Sequence, residues 1–482
     1  MDWSTSAFDV ISMKIARITV LDHIMSQVTN IDTKTKSDIK DMFNFFVPNA
    51  FVMPKYRMGM WDGKISLFKN GLLPTSLVMN DYVIDTILAN GYDDIEIVDR
   101  RSDDSYVQIE KIDKTFLQDY APSWELRPYQ VEAVNKCVDH TNGIFVLGTG
   151  AGKTAICTSI VKSFLPFGRV VTIVPSINLV TQTAETYNAF GVESGEFYGE
   201  NKQDADSIVS TWQSLINYPE MLFGVKCIIL DEAHEYNGKE ISAFLKQTCG
   251  HVAHRYGFTG TLPRDALGQT QLKGLIGPVL MTKDTHELQE EGYLVQSKVN
   301  VLITQEDKPE FLGKEHTDYE TEFDFLMTDA TRVGWVSDKI REIAKSGNTL
   351  VLTTNYKCID TLMGNLPEAH QCCGRINPKK RLDTYRDVDS KTNEIIIATT
   401  GVASTGIDMR NLHNVVFFEP GKAFITVIQS IGRGLRLGDD KQELTLWDIS
   451  ASTKYSKRHQ SERRKYYKEK KHKAKSQKVI YL

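Results

Sequence analysis

No apolar run in these 482 residues comes near the length needed to cross a bilayer. The longest are four residues, such as Cys227–Leu230, whereas a spanning helix needs about 20. The first twenty residues carry Asp2, Asp9, Lys14 and Arg17 where a secretory signal would be apolar, so a cytoplasmic protein with no membrane partner is expected. The seven cysteines (137, 157, 227, 249, 358, 372 and 373) lack the paired CxxC spacing of a zinc site. Free thiols in a reducing compartment are expected, with a redox role for the adjacent Cys372 and Cys373 as the alternative. The first 110 or so residues also lack internal repeats. The 41% apolar content is that of an ordinary globular chain, long enough for roughly three domains.

Charge is unevenly spread. Twelve lysines and arginines stand against Glu462 and Glu469 between Lys454 and Lys478. That segment therefore carries about +10 in a chain of net charge −5, leaving about −15 on the remainder. A basic tail that binds a polyanion is implied, as a helix lying along duplex phosphates or as a mobile solvated arm; a nuclear localisation signal is a third reading.

Up to about residue 110 the chain mixes β-branched and aromatic runs with Gly and Pro, as in a small α+β domain, and ends in the charged stretch DRRSDDS (99–105). From about 115 to 282, short apolar runs (GIFVLG at 143–148, VVTIVP at 170–175, KCIILDE at 226–232) alternate with helical segments. The same alternation returns at 348–354, 394–400, 414–420 and 444–450. Continuous apolar strands followed by helices indicate parallel sheets covered on both faces. The expected architecture is α/β: a domain over 1–112, doubly wound domains over 113–282 and 331–453, a linker over 283–330 and a basic tail over 454–482.

The stretch LGTGAGKT (147–154) follows a strand and opens a helix. A glycine-rich turn there offers backbone N–H groups to phosphate oxygens, with Lys153 reaching the β and γ phosphates and Thr154 holding Mg²⁺. Leu147 stands where the P-loop pattern has its first glycine, while the core of Thr149, Gly150, Gly152, Lys153 and Thr154 is intact. The stretch ILDEAH (229–234) ends a later apolar strand. Asp231 is placed to bind Mg²⁺ through water and Glu232 to polarise the water that attacks the γ-phosphate. His234 is either a structural histidine or a contact to other motor elements. ATP and Mg²⁺ are the expected substrate and ion.

With these motifs in order, residues from about 115 to 450 resemble the superfamily 2 helicases and translocases, which implies tandem RecA-like motor domains. The resemblance gives LRPYQ (126–130) an adenine-reading role, with Gln130 at the base edge and Arg127 or Tyr129 beside the ring. It makes VPSINLVTQ (174–182) and STWQS (210–214) holders of a nucleic-acid backbone through Ser176, Gln182 and Thr211, and makes TGT (259–261) a link between hydrolysis and strand movement. In the second motor domain it implies backbone contacts from Thr354, Ser404 and Thr405, and nucleotide contacts from Gly406 and Asp408. QSIGRGLR (429–436) has the family spacing: Gln429 would approach the attacking water, and Arg433 and Arg436 the γ-phosphate. A fixed arginine matched to charge on the transferring phosphoryl accelerates such hydrolysis by ~10³ or more.

A narrower resemblance, carried by PKYRMGMWDGKISLFKNGLLP (54–74) and FLGKEHTDYETE (311–322), is to the UvsW-type phage helicases, relatives of the XPB and RecG group that remodel branched DNA. It implies a forked or branched DNA partner, an N-terminal DNA-binding domain and work in replication, recombination and repair, in host cytoplasm if phage-encoded; a monomer is expected. In 55–73 the reading is a β-hairpin turning at Asp62-Gly63, with Trp61 and Phe68 holding a small core and Arg57 and Lys64 facing phosphates; Trp61 stacking on unpaired bases is the alternative. Competing functions are an RNA-remodelling DEAH helicase, a nucleotide-gated DNA clamp, and the non-unwinding translocase motor of a restriction or remodelling system. No PD-(D/E)xK nuclease segment is evident.

Overall fold

The computed structural model describes residues 13–79, 81–305, 318–404, 409–419, 443–469 and 473–480. They form two units, 1–147 with 152–282, and 148–151 with 283–482.

In the first unit the N-terminal residues build a four-stranded sheet, in the order Leu72–Pro74, Met25–Thr29, Ile15–Val20, Asp94–Asp99. Ile15–Val20 pairs antiparallel with Met25–Thr29 and parallel with Asp94–Asp99. The helix Thr33–Met42 starts where Asp32 accepts the backbone N–H of Thr35, a side-chain cap for an orphan donor. It buries Thr35 and Ile39, four residues apart and so on one face. Ala16, Ile18, Val28, Ile39, Leu73, Val83 and Ile87 form the core here.

The stretch from Lys55 to Leu73 departs from the expected hairpin. Lys64–Ser66 pairs antiparallel with Asn44–Phe46, so residues 47–63 form a long excursion and Asp62-Gly63 closes it. Pro54 at the first position of the helical turn Pro54–Arg57 and Gly59 at φ +67° keep 54–61 from running as a strand. Gly63 lies at φ +79° with the Phe46 ring 2.6 Å from where a Cβ would stand. Phe68 belongs to the core at 5% exposure. Trp61 does not; it is half-buried and donates its ring N–H to the Lys64 carbonyl at 2.8 Å.

These N-terminal residues share their unit with the ATP-motif sheet, and the joint is polar and buried. Arg255, 1% exposed, donates to the carbonyls of His23 at 2.8 Å and Val252 at 2.6 Å. Ser76 donates to the Lys273 carbonyl at 2.8 Å, and the Val107 N–H to His254 Nε2 at 2.9 Å.

The larger sheet of this unit runs in the order Asn201–Lys202, Ser194–Tyr198, Ser207–Ser210, Arg169–Ile173, Val225–Asp231, His254–Thr259, Asn142–Leu147, Val279–Lys283. Its five central strands are parallel. Ile228, Ile229 and Leu230 are fully buried, as continuous apolar strands are when helices cover both faces. Each such side chain contributes about 1.5–3 kcal/mol relative to exposure.

In the second unit seven parallel strands run in the order His370–Cys372, Ile395–Thr399, Thr349–Thr353, Asn414–Phe418, Glu443–Ala451, Gln296–Gln305, Lys473–Ile480. Two expectations change. Gln296–Gln305, inside the expected linker 283–330, is a ten-residue strand of this sheet. The basic tail is neither a free arm nor a separate helix: Lys473–Ile480 adds the edge strand and the helix Lys454–Glu469 packs on the sheet. That helix buries Ser456, His459, Gln460, Arg463, Tyr466 and Tyr467, most of them spaced by three and four. Its inward stripe is polar, so no apolar periodicity marks it. Arg463 meets Asp448 bidentately, at 2.9 Å from both Nε and Nη2. Glu322 accepts from Thr453 Oγ1 at 2.7 Å and the Ser456 N–H at 2.9 Å, holding the helix start.

Candidate active site

The strand Asn142–Leu147 ends at the glycine-rich turn, and the helix Lys153–Phe164 begins beyond it. Gly150 and Gly152 lie at φ +84° and +72°, a region that side chains strongly disfavour. A Cβ on Gly152 would also collide with Gln130 Nε2. Gln130 thus packs against the turn. It is 1% exposed, and its Oε1 accepts the Arg127 N–H at 2.9 Å as part of the cap of the helix Pro128–Asp139. Arg127 in turn donates to Tyr129 Oη at 3.0 Å.

Lys153 points from the first turn of its helix to Glu232, with Nζ 3.3 Å from Oε1. Burial pulls its pKa down, but the Glu232 and Asp231 carboxylates outweigh that and leave it raised, so Lys153 stays charged. Asp231 ends the strand Val225–Asp231, and its Oδ1 accepts the Glu232 N–H at 3.0 Å. Glu232 has φ +49°. For a residue with a side chain that conformation costs about 1–2 kcal/mol, and backbone strain of this kind gathers at working sites. Thr154 is half-buried beside Lys153. All of these groups sit at the carboxyl edge of the parallel sheet, where such sheets bind ligands.

His234 joins this cluster to the next motif. Its Nδ1 is 2.9 Å from Thr259 Oγ1, whose own proton goes to the Thr261 carbonyl at 2.8 Å. The hydroxyl has one proton, so Nδ1 must donate, which sets the tautomer. His234 Nδ1 is also 3.5 Å from Glu232 Oε2. Motifs 25 residues apart are thereby tied through one imidazole.

On the proposed nucleic-acid face, Ser176 and Thr211 line one open groove of about 670 Å³. Thr211 Oγ1 also accepts from the Ser214 N–H, capping the short helix Trp212–Leu215. Gln182 is half-buried farther along the helix Ile177–Ala189 and is not part of the groove lining. Gln213, inside the STWQS stretch, and Asn217, outside any quoted motif, do line it. Arg57 and Lys64 are exposed, and Arg57 Nε donates to the Phe51 carbonyl at 3.2 Å. Thr354 is exposed at the end of the strand Thr349–Thr353. Ser404 closes the helix Thr400–Ser404. Thr405, Gly406, Asp408, Gln429, Arg433 and Arg436 lie outside the described residues.

Three families match in succession: "DNA helicase UvsW, N-terminal" over residues 17–90, "Type III restriction enzyme, res subunit" over 123–264, and "Helicase conserved C-terminal domain" over 333–438. The chain is 26% identical over 466 residues to the ATP-dependent DNA helicase uvsW of Enterobacteria phage T4, covering 90% of each chain. It is 29% identical over 197 residues to the DNA 3'-5' translocase XPB2 of Sulfurisphaera tokodaii, 39% of this chain and 43% of the relative. In fold it is similar to the Hef helicase domain of Pyrococcus furiosus, with a TM-score of 0.50 and 16% identity over 72% of this chain and 99% of that one. The domain order, the paired ATP motifs and the two parallel sheets agree: the chain belongs to the superfamily 2 helicases and is of the UvsW-like kind.

Proposed function

We infer that this chain is an ATP-dependent DNA helicase or translocase that unwinds or branch-migrates forked and four-way DNA, acting as a monomer inside the cell. The observation that carries the ATPase reading is the Lys153–Glu232–His234–Thr259 chain of contacts at the sheet edge. The similarity to the phage T4 helicase supports DNA as the polymer.

The residues fit a magnesium nucleotide. Gly150 and Gly152 open the turn to a phosphate, and a lysine, a threonine hydroxyl and two carboxylates stand around it. Lys153 would leave Glu232 for the β and γ phosphates of ATP, and Thr154 and Asp231 would hold Mg²⁺, which neutralises phosphate charge. Glu232, released from that ion pair, orients the attacking water and takes its proton. Gln130 and Arg127 face the base. Because His234 touches both Glu232 and Thr259, a change at the carboxylate would reach the 259–261 segment. Gly406, Asp408, Gln429, Arg433 and Arg436 complete the nucleotide site on this reading. Ser176, Gln182, Thr211, Thr354, Ser404 and Thr405 hold the strand.

The test is steady-state ATP hydrolysis with and without DNA, next to unwinding of a fork, a four-way junction and a tailed duplex in DNA and RNA versions. Wild type should be stimulated by DNA, and Lys153→Ala should lose turnover by at least ~10²-fold. Stimulation by RNA but not DNA would overturn the assignment.

A further inference from the structure

The groove that holds Ser176 and Thr211 has a second wall that no motif announces. The strand Ser194–Tyr198 turns back through Gly199 into Asn201–Lys202, placing Lys202 opposite Phe197 in antiparallel register. Lys202 Nζ lies 4.1 Å from the ring centroid of Tyr218 and 4.4 Å from that of Phe197. The two rings meet edge to face at 5.3 Å. Among the described residues no carboxylate pairs with this ammonium, so aromatic faces fix its position and leave its charge uncompensated. Tyr218 and Lys202 both line the groove, together with Thr211, Gln213 and Asn217. Tyr218 is 37% exposed, and Ile177, which also lines the groove, 50%.

A placed cation, polar side chains and an accessible aromatic ring lining one groove make the combination that binds single strands: charge tracks the backbone and a ring takes a base. A duplex keeps its bases stacked inside and offers the ring nothing. We propose that Lys202 and Tyr218 form a base-stacking subsite for single-stranded DNA, with Tyr218 receiving an unstacked base and Lys202 neutralising the adjacent phosphate. This rests on the helicase reading and adds to it a point at which one separated strand is gripped by a base. In substrate terms, the subsite favours strands already unpaired at a branch over intact duplex.

The experiment measures binding of the full chain to oligo(dT), to a single strand carrying 2-aminopurine, to the matching RNA strand and to blunt duplex, with ATP hydrolysis recorded in parallel. Tyr218→Ala should weaken single-strand binding about tenfold and abolish the 2-aminopurine quench, while duplex binding and DNA-free hydrolysis stay at wild-type level. Tyr218→Phe keeps the ring and should retain both. Lys202→Ala should lower the salt dependence of single-strand binding by about 0.7 in slope, and Lys202→Arg should restore it. An unchanged quench in Tyr218→Ala, an equal loss on duplex, or tighter Tyr218-dependent binding of RNA than of DNA would overturn the proposal. The two readings fail separately. Hydrolysis stimulated by DNA, with Tyr218→Ala binding like wild type, refutes the subsite alone. Tyr218-dependent strand binding without DNA-stimulated hydrolysis supports the subsite and refutes the motor.

Discussion

Arg463 and Arg464 are neighbours of equal charge in the basic C-terminal segment, and the structure assigns them opposite consequences. Arg463 is 3% exposed and holds Asp448, itself 0% exposed, by two 2.9 Å bonds. Arg464 faces solvent on the same helix. Removing one partner of a buried pair costs about 3–5 kcal/mol, because the other charge stays buried without its counterion. Ser450 and Tyr467 also donate to Asp448, at 2.7 and 2.9 Å, and they soften that loss without replacing a cation. Arg463→Ala should therefore lower the melting temperature of the second unit by roughly 6–20 °C, at about 2–4 °C per kcal/mol for a domain of this size. Arg464→Ala should stay within about 0.5 kcal/mol of wild type and lower the salt slope of DNA binding by at most about 0.9, the value for one phosphate contact. Differential scanning calorimetry with limited proteolysis of the 283–482 region reads the first effect, and a salt titration of DNA binding reads the second. The double change Asp448→Leu with Arg463→Met should recover most of the stability, since an apolar pair of similar volume removes the stranded charge. Equal melting of Arg463→Ala and wild type would show that the helix Lys454–Glu469 is not anchored as described.

Acid should loosen the first unit. Burial, followed by the Arg255 and Lys226 charges, lowers the His254 pKa to about 4, and its Nε2 accepts the Val107 N–H. The group is neutral when folded and takes up a proton when unfolded. Its contribution is complete above an ordinary histidine pKa of about 6.5 and is lost as pH falls from there toward 4, an effect of order 3 kcal/mol. Urea unfolding of the full chain at pH 7 and pH 5 should show that decline, and His254→Asn should reduce it, the remainder coming from His23, whose pKa burial lowers to about 3; an unchanged slope would refute the assignment. On the N-terminal residues, Arg57→Ala with Lys64→Ala should weaken binding to a four-way junction by about tenfold at 50 mM salt and far less at 200 mM, because both side chains are exposed and act through phosphates. Gel-shift titrations at the two salts decide this, and intact junction binding in the double variant would remove these residues from the DNA face.

The ATP motifs were legible because their chemistry is local. A strand, a glycine turn and a helix carrying Lys153 place phosphate-binding groups within a dozen residues, and Asp231-Glu232 needs only the end of an apolar strand. The hairpin at Asp62-Gly63 was misread because a two-residue turn and the end of a 17-residue excursion share the same dipeptide; pairing with Asn44–Phe46 separates them. The tail misled for a physical reason as well. Twelve cations signal a solvated arm, whereas the inward stripe of its helix includes Ser456, Arg463 and Tyr467, whose burial is offset by donation to Glu419 and Asp448.

The sequence by itself determined the α/β class, the recurrence of apolar strands in two stretches, the choice of Lys153, Asp231 and Glu232 as candidate ATP residues, and the family through the order of its motifs. Only the tertiary structure decided that Gln296–Gln305 and the basic C-terminal segment complete the second sheet, that Arg255 buries itself against the N-terminal residues, and that Lys202, Tyr218 and Thr211 line one groove. The division follows range. Residue type and spacing report periodicity and short turns, while a buried charge or a cation held between two rings has meaning only once distant segments supply its partners.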